Sequence, residues 1–416
     1  MDFNQAPFIV IWETTQACDL ACVHCRAKAQ PLPLPGELNH EEGLALLDEI
    51  AEMGVKICVV SGGDPLKRAD LLELIRYGKS TGLRMATIPA ATPLLTREVV
   101  QALKEVGLDQ MALSLDASTP EAHDRFRGVE GAFQKTRDAI QWAHEAQLPV
   151  QINSVMSQHN FDDVDQLIEL VRRLGVVFWE VFFLVPVGRG AQVSGLSAEQ
   201  YEQVFGKLYQ VARSASFIVK ITEAPHFRRY YYEQRLRELG IDSGQLVWNG
   251  VELPGELRQL EGPRGSIGQA PQAVNAGKGF VFVAYNGEVF PSGFLPLSAG
   301  NVRRAPLRMI YQNSPLLQAL RDPTRLEGRC GACEYRAICG GSRSRAYAVT
   351  GDYLAEEPCC AYVPRWVRIA HPHDPHRDSI KSQLHGRGYA GLPRLGAAIP
   401  RGSGAIGTPR TSSPMV

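Results

Sequence analysis

The chain has 416 residues, of which 44% are apolar and 21% charged, and its formal net charge is zero. This is the composition of a globular protein, and it excludes collagen, coiled coil and wholesale disorder. No apolar run approaches the ~20 residues of a membrane-spanning helix. The apolar run at the N-terminus has no basic segment before it, so we expect no signal peptide and a cytoplasmic location.

The zero net charge hides an asymmetry between the two parts of the chain. Residues 365–416 carry a net charge of +6, so residues 1–364 carry −6. The acidic part has no basic stripe of the kind that nucleic-acid-binding proteins use. We therefore expect no nucleic-acid partner and interpret the basic C-terminal segment as a solvated end.

The predicted elements alternate between strands and helices through the first half of the chain. The apolar runs that predict strands are Phe8–Glu13, Lys56–Ser61, Arg84–Ile88, Gln110–Leu115, Val150–Val155 and Phe178–Val185. The segments with helical periodicity are Glu41–Met53, Asp70–Thr81, Thr96–Val106, Ala132–Ala146 and Phe161–Leu174. Alternating strands and helices imply a parallel sheet, and six such units predict a partial barrel that is open on one side.

The second half predicts a different organisation. Residues 196–240 read as two helices around the apolar segment Phe217–Ile221, and Asn286-Gly287 between apolar runs predicts a β-hairpin. A further helix is predicted near Pro306–Leu320. The resulting domains are a strand–helix domain over 1–190, a helical connector and loop over 191–278, a small α+β domain over 279–365 and a disordered tail over 366–416.

Eight of the nine cysteines fall into two clusters at opposite ends of this organisation. The clusters are Cys18, Cys22 and Cys25, and Cys330, Cys333, Cys339, Cys359 and Cys360. A long chain without a secretory signal is a poor candidate for a disulfide framework, so close-set cysteines indicate metal binding or redox chemistry. Cys58, in an apolar strand, is interpreted as a buried core residue.

The first cluster has the spacing C-x3-C-x2-C and directly follows the first predicted strand. In a barrel of parallel strands, the loops that follow the strands build the active face. Three thiolates on one loop hold three irons of a 4Fe–4S cluster and leave the fourth iron open. A structural zinc site is the alternative, but it needs a fourth ligand, and His24 would be strained in that role beside Cys25.

This motif, after the first strand of a sixfold strand–helix domain, resembles the radical S-adenosylmethionine (SAM) superfamily over residues 8–190. The resemblance implies an α/β fold with a partial (β/α)6 TIM-like barrel and a catalytic cluster on Cys18, Cys22 and Cys25. In that family the open iron chelates the amino and carboxylate groups of SAM. An electron from the cluster cleaves SAM to a 5′-deoxyadenosyl radical, which abstracts hydrogen from the substrate.

Two further segments are similar to SAM-binding motifs of the family. Gly62, Gly63 and Asp64 match a Gly-Gly-Glu-Pro-like motif whose backbone carbonyls accept from the ammonium group of SAM, with Asp64 in place of the usual Glu. Ser114 and Asp116 match a Ser-x-Asp motif near the ribose or the methionyl carboxylate. The alternative for Asp116 is a helix cap or an Asx turn.

Three single positions complete the SAM contacts that the resemblance implies. Arg127 is placed near the carboxylate of the cofactor, with a surface salt bridge as the alternative. Asn153, on the fifth strand, is placed as a polar contact. Val185 or its neighbour, in a stretch similar to Pro-x-Gly-Arg, pairs its backbone with the adenine edge; a plain turn is the alternative.

The second cysteine cluster resembles the auxiliary iron–sulfur region of the SPASM and twitch radical enzymes. Cys330, Cys333 and Cys339 are the first three ligands of a closed 4Fe–4S cluster, and the fourth is Cys359 or Cys360, with Cys360 preferred because relatives carry Pro-x-Cys before Tyr-x-Pro. A zinc knuckle is the alternative.

One departure from the family pattern changes the expected number of clusters. A full SPASM domain holds two auxiliary clusters, one of which begins with a Cys near the hairpin. Ser292 stands there in this chain, and no Cys lies between 58 and 330. We therefore predict one auxiliary cluster, as in relatives of alternative haem pathways and in some peptide-modifying enzymes.

The resemblance predicts a radical SAM enzyme whose substrate is a ribosomal peptide or a tetrapyrrole, reduced by a donor such as ferredoxin or flavodoxin. The predicted barrel begins near residue 8, without a preceding leader-binding domain, which weakens the peptide hypothesis. A non-catalytic iron–sulfur electron carrier and a zinc-stabilised interaction protein are the rival hypotheses. The electron carrier would not explain Gly62-Gly63, Ser114, Asp116 or the sixfold strand–helix pattern.

Overall fold

A computed structural model describes residues 1–240 and 273–365 of the chain. Most of the predicted loop before the hairpin, and nearly all of the basic C-terminal segment, lie outside the described residues. In the described part, no helix is long and apolar enough to cross a membrane.

The strands of the described part form one sheet with the order β10-β9-β8-β1-β2-β3-β4-β5-β6-β7. Their bounds are β1 Ile9–Glu13, β2 Ile57–Ser61, β3 Arg84–Thr87, β4 Gln110–Ser114, β5 Val150–Met156, β6 Phe178–Phe183, β7 Ile218–Thr222, β8 Phe280–Val283, β9 Glu288–Phe290 and β10 Gly300–Asn301. All pairs from β8 through β1 to β7 are parallel, and β8, β9 and β10 are joined antiparallel.

The helices connect these strands, and most of them lie where the sequence predicts a helix. Their bounds are α1 His40–Glu52, α2 Leu71–Ser80, α3 Arg97–Glu105, α4 Pro120–Arg127, α5 Ala132–Glu145, α6 Val164–Arg173, α7 Ala198–Ser214, α8 Phe227–Glu238, α9 Leu307–Asn313, α10 Pro315–Arg321, α11 Gly328–Ala332 and α12 Arg343–Thr350. The one helix predicted near 306–320 is two helices, α9 and α10, because the chain leaves the helical conformation at Ser314.

Local chemistry explains where several helices begin and end. Asn39 caps α1 in a reciprocal capping box with Glu42, which satisfies two free N–H groups of the first turn. Gly54 follows the end of α1 and Gly82 the end of α2, both with positive φ (75° and 89°). Glycine adopts this left-handed conformation without steric cost, so it ends the helix.

The two faces of the sheet differ in chemistry. The outer face packs on the helices and contains Trp12, Trp179 and Cys58, each with no exposed surface. This confirms the predicted core role of Cys58. The inner face of β1–β3 carries a separate small apolar cluster that includes Ile57 and Val59.

The sheet extends beyond the six predicted strands at both edges. The segment predicted as a short apolar stretch inside the connector is β7, which pairs parallel to β6. The first strand of the predicted hairpin, β8, pairs parallel to β1. The sheet is therefore continuous from the strand–helix domain into the C-terminal part, which the period of the sequence alone does not show.

Candidate active site

The first cysteine cluster lies on the loop that follows β1, at the carboxyl ends of the parallel strands. Cys18 and Cys22 are buried, Cys25 is half-buried, and the three form a local cluster with Leu20 and Ala29. Backbone N–H groups face two of the sulfur atoms, with Leu20 N at 3.4 Å from Cys18 Sγ and Ala29 N at 3.5 Å from Cys25 Sγ. Such donors stabilise thiolates, the form in which cysteine binds metal.

Burial raises the pKa of the Cys18 thiol to about 12. Burial also raises the pKa of Cys22, although the nearby Arg127 guanidinium opposes that rise. A metal bound here would displace the protons of these thiols.

Three glycines from three different loops pack against the backbone of the cysteine loop. A Cβ on Gly63 would lie 2.5 Å from the carbonyl oxygen of Ala17, and one on Gly128 would lie 2.6 Å from that of Ala21. A Cβ on Gly188 would lie 2.5 Å from the carbonyl oxygen of Cys25. Real Cβ atoms essentially never approach so closely, so all three positions require glycine to hold the cysteine loop in place.

The Gly62-Gly63-Asp64 segment therefore contacts the cysteine loop directly. Gly63 N donates to Thr15 O and Asp64 N donates to Ala17 O, each at 2.7 Å. The Asp64 side chain accepts from Leu66 N at 3.1 Å and from Thr92 Oγ1 at 2.9 Å, and it caps the 3-10 turn at 65–67.

Asp116 forms a buried ion pair with Arg127. Its carboxylate accepts from Arg127 Nε at 2.7 Å and from Val155 N at 2.8 Å, and it also contacts Arg127 Nη2. Burial favours the neutral acid, but the Arg127 charge prevails and lowers the pKa of Asp116. The third nitrogen of Arg127, Nη1, lies 3.7 Å from Cys22 Sγ. The alternative for Arg127 was a surface salt bridge. The ion pair with Asp116 is present, but it is buried, and Arg127 also reaches the sulfur of Cys22.

His24 packs on an aromatic ring of α4. The His24 ring stacks on Phe126 with ring centroids 4.2 Å apart. Phe126 also stacks on His159, with ring centroids 4.4 Å apart. Burial lowers the pKa of His24 to about 3, so the ring is neutral.

Asn153 belongs to a polar row across the inner face of β4–β7. Its Oδ1 accepts from Gln151 Nε2 at 2.6 Å, and the same nitrogen donates to Glu180 Oε2 at 2.9 Å. Lys220 Nζ donates to the other oxygen of Glu180 at 2.7 Å. Sequence reasoning missed Gln151, Glu180 and Lys220. The signal was present, since polar residues alternate with apolar ones along β5 to β7.

Val185 is buried in the loop after β6. The segment that follows it clamps the cysteine loop, because Arg189 Nε donates to Cys22 O at 2.8 Å and Arg189 N donates to Cys25 O at 2.9 Å. Ser114, at the end of β4, lies beside Asn153 in the sheet register.

Arg26, which the sequence reasoning also missed, connects the cysteine loop to the C-terminal part. Its Nη2 donates to Glu13 Oε1 at 2.7 Å, and its guanidinium lies over the Phe282 ring of β8 at 4.4 Å.

The second cysteine cluster surrounds a cavity of about 430 Å³. Four of its five thiol-bearing residues line the cavity, namely Cys330, Cys333, Cys339 and Cys360. Cys359 does not line it and packs in the main hydrophobic core. Burial raises the pKa of the four lining thiols, to about 12 for Cys333 and Cys339.

Hydrogen-bond donors point at these sulfur atoms as well. Glu357 N lies 3.3 Å from Cys330 Sγ, Gly341 N lies 3.4 Å from Cys339 Sγ, and Arg343 Nη2 lies 3.8 Å from Cys330 Sγ. His226 lines the same cavity, is 1% exposed, and neither of its ring nitrogens has a protein partner.

The residues of the two cysteine clusters fit the iron–sulfur groups that the sequence predicts for them. No group of His, Cys, Asp or Glu side chains within 1–240 and 273–365 is arranged to hold a metal ion as it stands. The cavity beside Cys330, the backbone donors to sulfur and the orphaned His226 nitrogens nonetheless fit a larger group with exposed sulfides. All-thiolate ligation is the donor set of iron–sulfur clusters. No disulfide joins any of the nine cysteines, all of which lie in the described part.

Glu223 joins the barrel to the second cysteine region. It follows β7 with a positive φ of 58°. Its carboxylate accepts from Ser292 at 3.2 Å and from Ser344 at 2.9 Å, and it also contacts the Ser342 hydroxyl. Ser292 thus has a structural hydrogen bond at the position where the resemblance to a full SPASM domain implies a cysteine.

Arg345 makes a second connection from α12. It forms a fully buried ion pair with Glu357 at 3.0 Å. Its other guanidinium nitrogens donate to backbone carbonyls after β6 and β7, including Leu184 O at 3.3 Å and Glu223 O at 2.5 Å.

Comparison with known proteins supplies the family of this fold. The model of the Radical SAM superfamily matches residues 12–175. The chain is 40% identical over 362 residues to the AdoMet-dependent heme synthase of Methanosarcina barkeri, covering 87% of this chain and 98% of that protein. It is 30% identical over 368 residues to the Fe-coproporphyrin III synthase of the same organism, with 85% and 87% covered. It is 28% identical to the PqqA peptide cyclase of Rhizobium meliloti, with 87% and 89% covered.

Among solved structures, SuiB of Streptococcus suis bound to S-adenosylmethionine superposes with a TM-score of 0.65. The match covers 86% of this chain and 78% of SuiB at 15% identity. It confirms the predicted α/β fold with a partial barrel.

Proposed function

This chain belongs to the radical SAM superfamily, and from that premise we propose that it converts a tetrapyrrole precursor into haem. It is an enzyme of the peptide- and tetrapyrrole-modifying branch, which excludes a non-catalytic electron carrier. Its cofactors are SAM and a 4Fe–4S cluster, which when bound supply the electron and the 5′-deoxyadenosyl radical that abstracts hydrogen from the substrate.

The observation that carries the choice of substrate is the match to a haem synthase at 40% identity over 98% of that protein. The match to a peptide cyclase has only 28% identity. One organism contains both a haem synthase and an Fe-coproporphyrin III synthase among the relatives. The product named for the second is therefore our candidate substrate.

The inner face of the sheet supports a large amphipathic substrate. It is apolar on β1–β3, where Ile57 and Val59 lie. It is polar on β4–β7, where Gln151, Glu180 and Lys220 lie. A porphyrin with carboxylate side chains needs both an apolar surface and hydrogen-bonding groups.

The required reaction can be balanced from the structures of the two porphyrins. Haem carries vinyl groups where coproporphyrin carries two of its propionates. Loss of a hydrogen atom from a propionate, then of carbon dioxide and one electron, gives a vinyl group. Each conversion therefore needs an acceptor for one electron.

We assign that acceptor site to the second cysteine region. Cys330, Cys333, Cys339 and Cys360 would hold one auxiliary 4Fe–4S cluster, since these four line one cavity. The hydrogen bond of Ser292 to Glu223 supports a single auxiliary cluster.

The cysteine loop after β1 would hold the cluster that binds SAM. Cys18, Cys22 and Cys25 are its ligands in this proposal. Gly62-Gly63, Ser114, Asn153 and Val185 remain the proposed contacts of SAM. Asp64, Asp116 and Arg127 also remain proposed contacts of SAM. Arg127, which pairs with Asp116 and reaches Cys22, would in addition position the cysteine loop.

The remaining expectations stay predictions. They are the division at residues 190, 278 and 365, a ferredoxin or flavodoxin as electron donor, the lack of a nucleic-acid or membrane partner, and the cytoplasmic location. The continuous sheet supports extending the first domain to include β7.

The test is an anaerobic assay with the reconstituted protein, SAM, a reductant and Fe-coproporphyrin III. We expect haem and 5′-deoxyadenosine, identified by chromatography and mass spectrometry. A protein with Ala at Cys18, Cys22 and Cys25 should make neither. Deoxyadenosine without any change in the porphyrin would overturn the substrate proposal and keep the family assignment.

A further inference from the structure

A second cleft lies next to the cavity that Cys330, Cys333, Cys339 and Cys360 line. Its volume is about 330 Å³, and it shares the loop 336–340 with that cavity, so residue Cys339 borders both. We call it the basic cleft, because five cationic side chains line it: Arg228, Lys278, Arg321, Arg336 and Arg343.

No carboxylate of the described residues neutralises the charges of the basic cleft, although Arg343 Nη2 lies 3.8 Å from Cys330 Sγ. No Asp or Glu of 1–240 or 273–365 lines the cleft, and none forms an ion pair with any of the five cations. Arg228 and Lys278 instead donate to backbone carbonyls, those of Ile338 at 3.1 Å and Ala337 at 3.4 Å. Arg321 Nε is buried and has no hydrogen-bond partner.

Burial and the neighbouring charge of Arg228 lower the pKa of Lys278. An isolated cluster of desolvated cations is costly unless a partner supplies the missing negative charge. An anion is thus the ligand class that the cleft fits.

The position of the cleft indicates which kind of anionic ligand binds there. Residues 1–364 together carry a net negative charge. An acidic protein would therefore be repelled by most of the surface and attracted to the basic cleft. A protein bound there would be separated from the Cys339 thiolate by only the 336–340 loop. The proposed reaction also needs an acceptor for one electron. The short separation from Cys339 and this need favour a redox protein over a small anion as the partner.

We propose that the basic cleft is the docking site of an acidic one-electron redox protein, which exchanges electrons with the auxiliary cluster through the 336–340 loop. The exchange is one electron: the auxiliary cluster is oxidised and an oxidised ferredoxin is reduced, with no proton transferred. The role of the auxiliary cluster rests on the proposed function, whereas the basic docking surface does not.

The test measures binding of an acidic [2Fe–2S] ferredoxin to the anaerobically reconstituted protein by calorimetry at low and high salt. Lys278→Gln removes one charge and Lys278→Glu reverses it. The matched control is Arg304→Glu, an exposed cation outside the cleft. We expect Lys278→Glu to raise Kd about tenfold or more at low salt, with a smaller effect for Lys278→Gln. The effect should shrink at 1 M salt, where charges are screened beyond about 3 Å.

A second readout is stopped-flow oxidation of the reduced protein by ferredoxin and by a small neutral quinone. Lys278→Glu should slow only the reaction with ferredoxin. Docking at this cleft would be overturned by equal weakening in Lys278→Glu and Arg304→Glu or by slower oxidation by the quinone. It would also be overturned if Lys278→Glu abolished the binding of inorganic phosphate, measured in the same way, without changing the affinity for ferredoxin. A wild-type protein that binds ferredoxin in this pattern but holds no second cluster would instead overturn the proposed electron acceptor.

Discussion

Arg127 Nη1 lies 3.7 Å from the sulfur of Cys22, while the other two nitrogens of its guanidinium are held by Asp116. Asp116 is completely buried and Arg127 nearly so. The pair thus brings a fixed positive charge from α4 to the cysteine loop after β1. A charge placed in this way would act on the cluster that we propose Cys22 to bind, whether or not SAM is present.

The first prediction concerns the electronic effect of this charge. A hydrogen bond to a thiolate ligand stabilises the more negative, reduced cluster, so Arg127→Met should lower the reduction potential. We expect about a tenfold change in the reduction equilibrium, or ~59 mV for one electron, measured by EPR-monitored redox titration. Arg125→Met, an exposed cation on the same helix, is the control. Equal potentials in wild type and Arg127→Met would contradict the assignment.

The second prediction concerns the glycines that pack on the cysteine loop. Gly188→Ala would force a Cβ against the carbonyls of Cys25 and Arg26, so we expect loss of about half of the bound iron with the fold retained. Gly82→Ala is the control, because Gly82 has a similar positive φ but open space around its Cβ position. Iron analysis and circular dichroism provide the measurements. Full iron content in Gly188→Ala would show that the loop can move away.

The sequence predicted most of the barrel because periodicity reports burial. The six predicted strands and their helices are present within a few residues of their predicted bounds. β7 was not predicted as part of the sheet, since Ile218–Thr222 is short and follows a helix instead of a recognisable repeat. α4 was missed because its eight residues include few apolar ones.

The grouping of cysteines at the candidate site was predictable from the sequence, whereas its supporting contacts were less so. Cysteine spacing identifies Cys18 and its neighbours without any structure. The contact of Arg127 with Cys22 joins residues 105 positions apart, and the packing of Gly188 on Cys25 spans a longer separation. Such contacts depend on which loops converge at the open end of the barrel, and one sequence carries no signal for that.

The third prediction concerns stability. Arg345 and Glu357 are both fully buried, so Arg345→Met leaves an unpaired buried carboxylate. We expect a loss of about 3–5 kcal/mol in the free energy of unfolding, measured by denaturant titration. Lys207→Met, which breaks the exposed ion pair with Asp165, should cost less than about 1 kcal/mol.

The same pair offers an internal check. The double variant Arg345→Met/Glu357→Leu removes both charges and should be more stable than Arg345→Met alone, because the desolvated carboxylate is gone. If the double variant is the less stable of the two, the buried charge of Glu357 is not the cause of the loss.

The last prediction separates the two adjacent cysteines near the end of the described chain. Cys360 lines the cavity with Cys330, Cys333 and Cys339, whereas Cys359 packs in the core. Cys360→Ala should therefore lose the second cluster, seen as about half the iron and sulfide, and should stop haem formation. Cleavage of SAM to deoxyadenosine should continue, since the cysteine loop after β1 is untouched. Cys359→Ala should keep both clusters and lose only about 1 kcal/mol of stability through a small cavity. The opposite pattern, with iron lost in Cys359→Ala and kept in Cys360→Ala, would reverse the assignment of the fourth ligand.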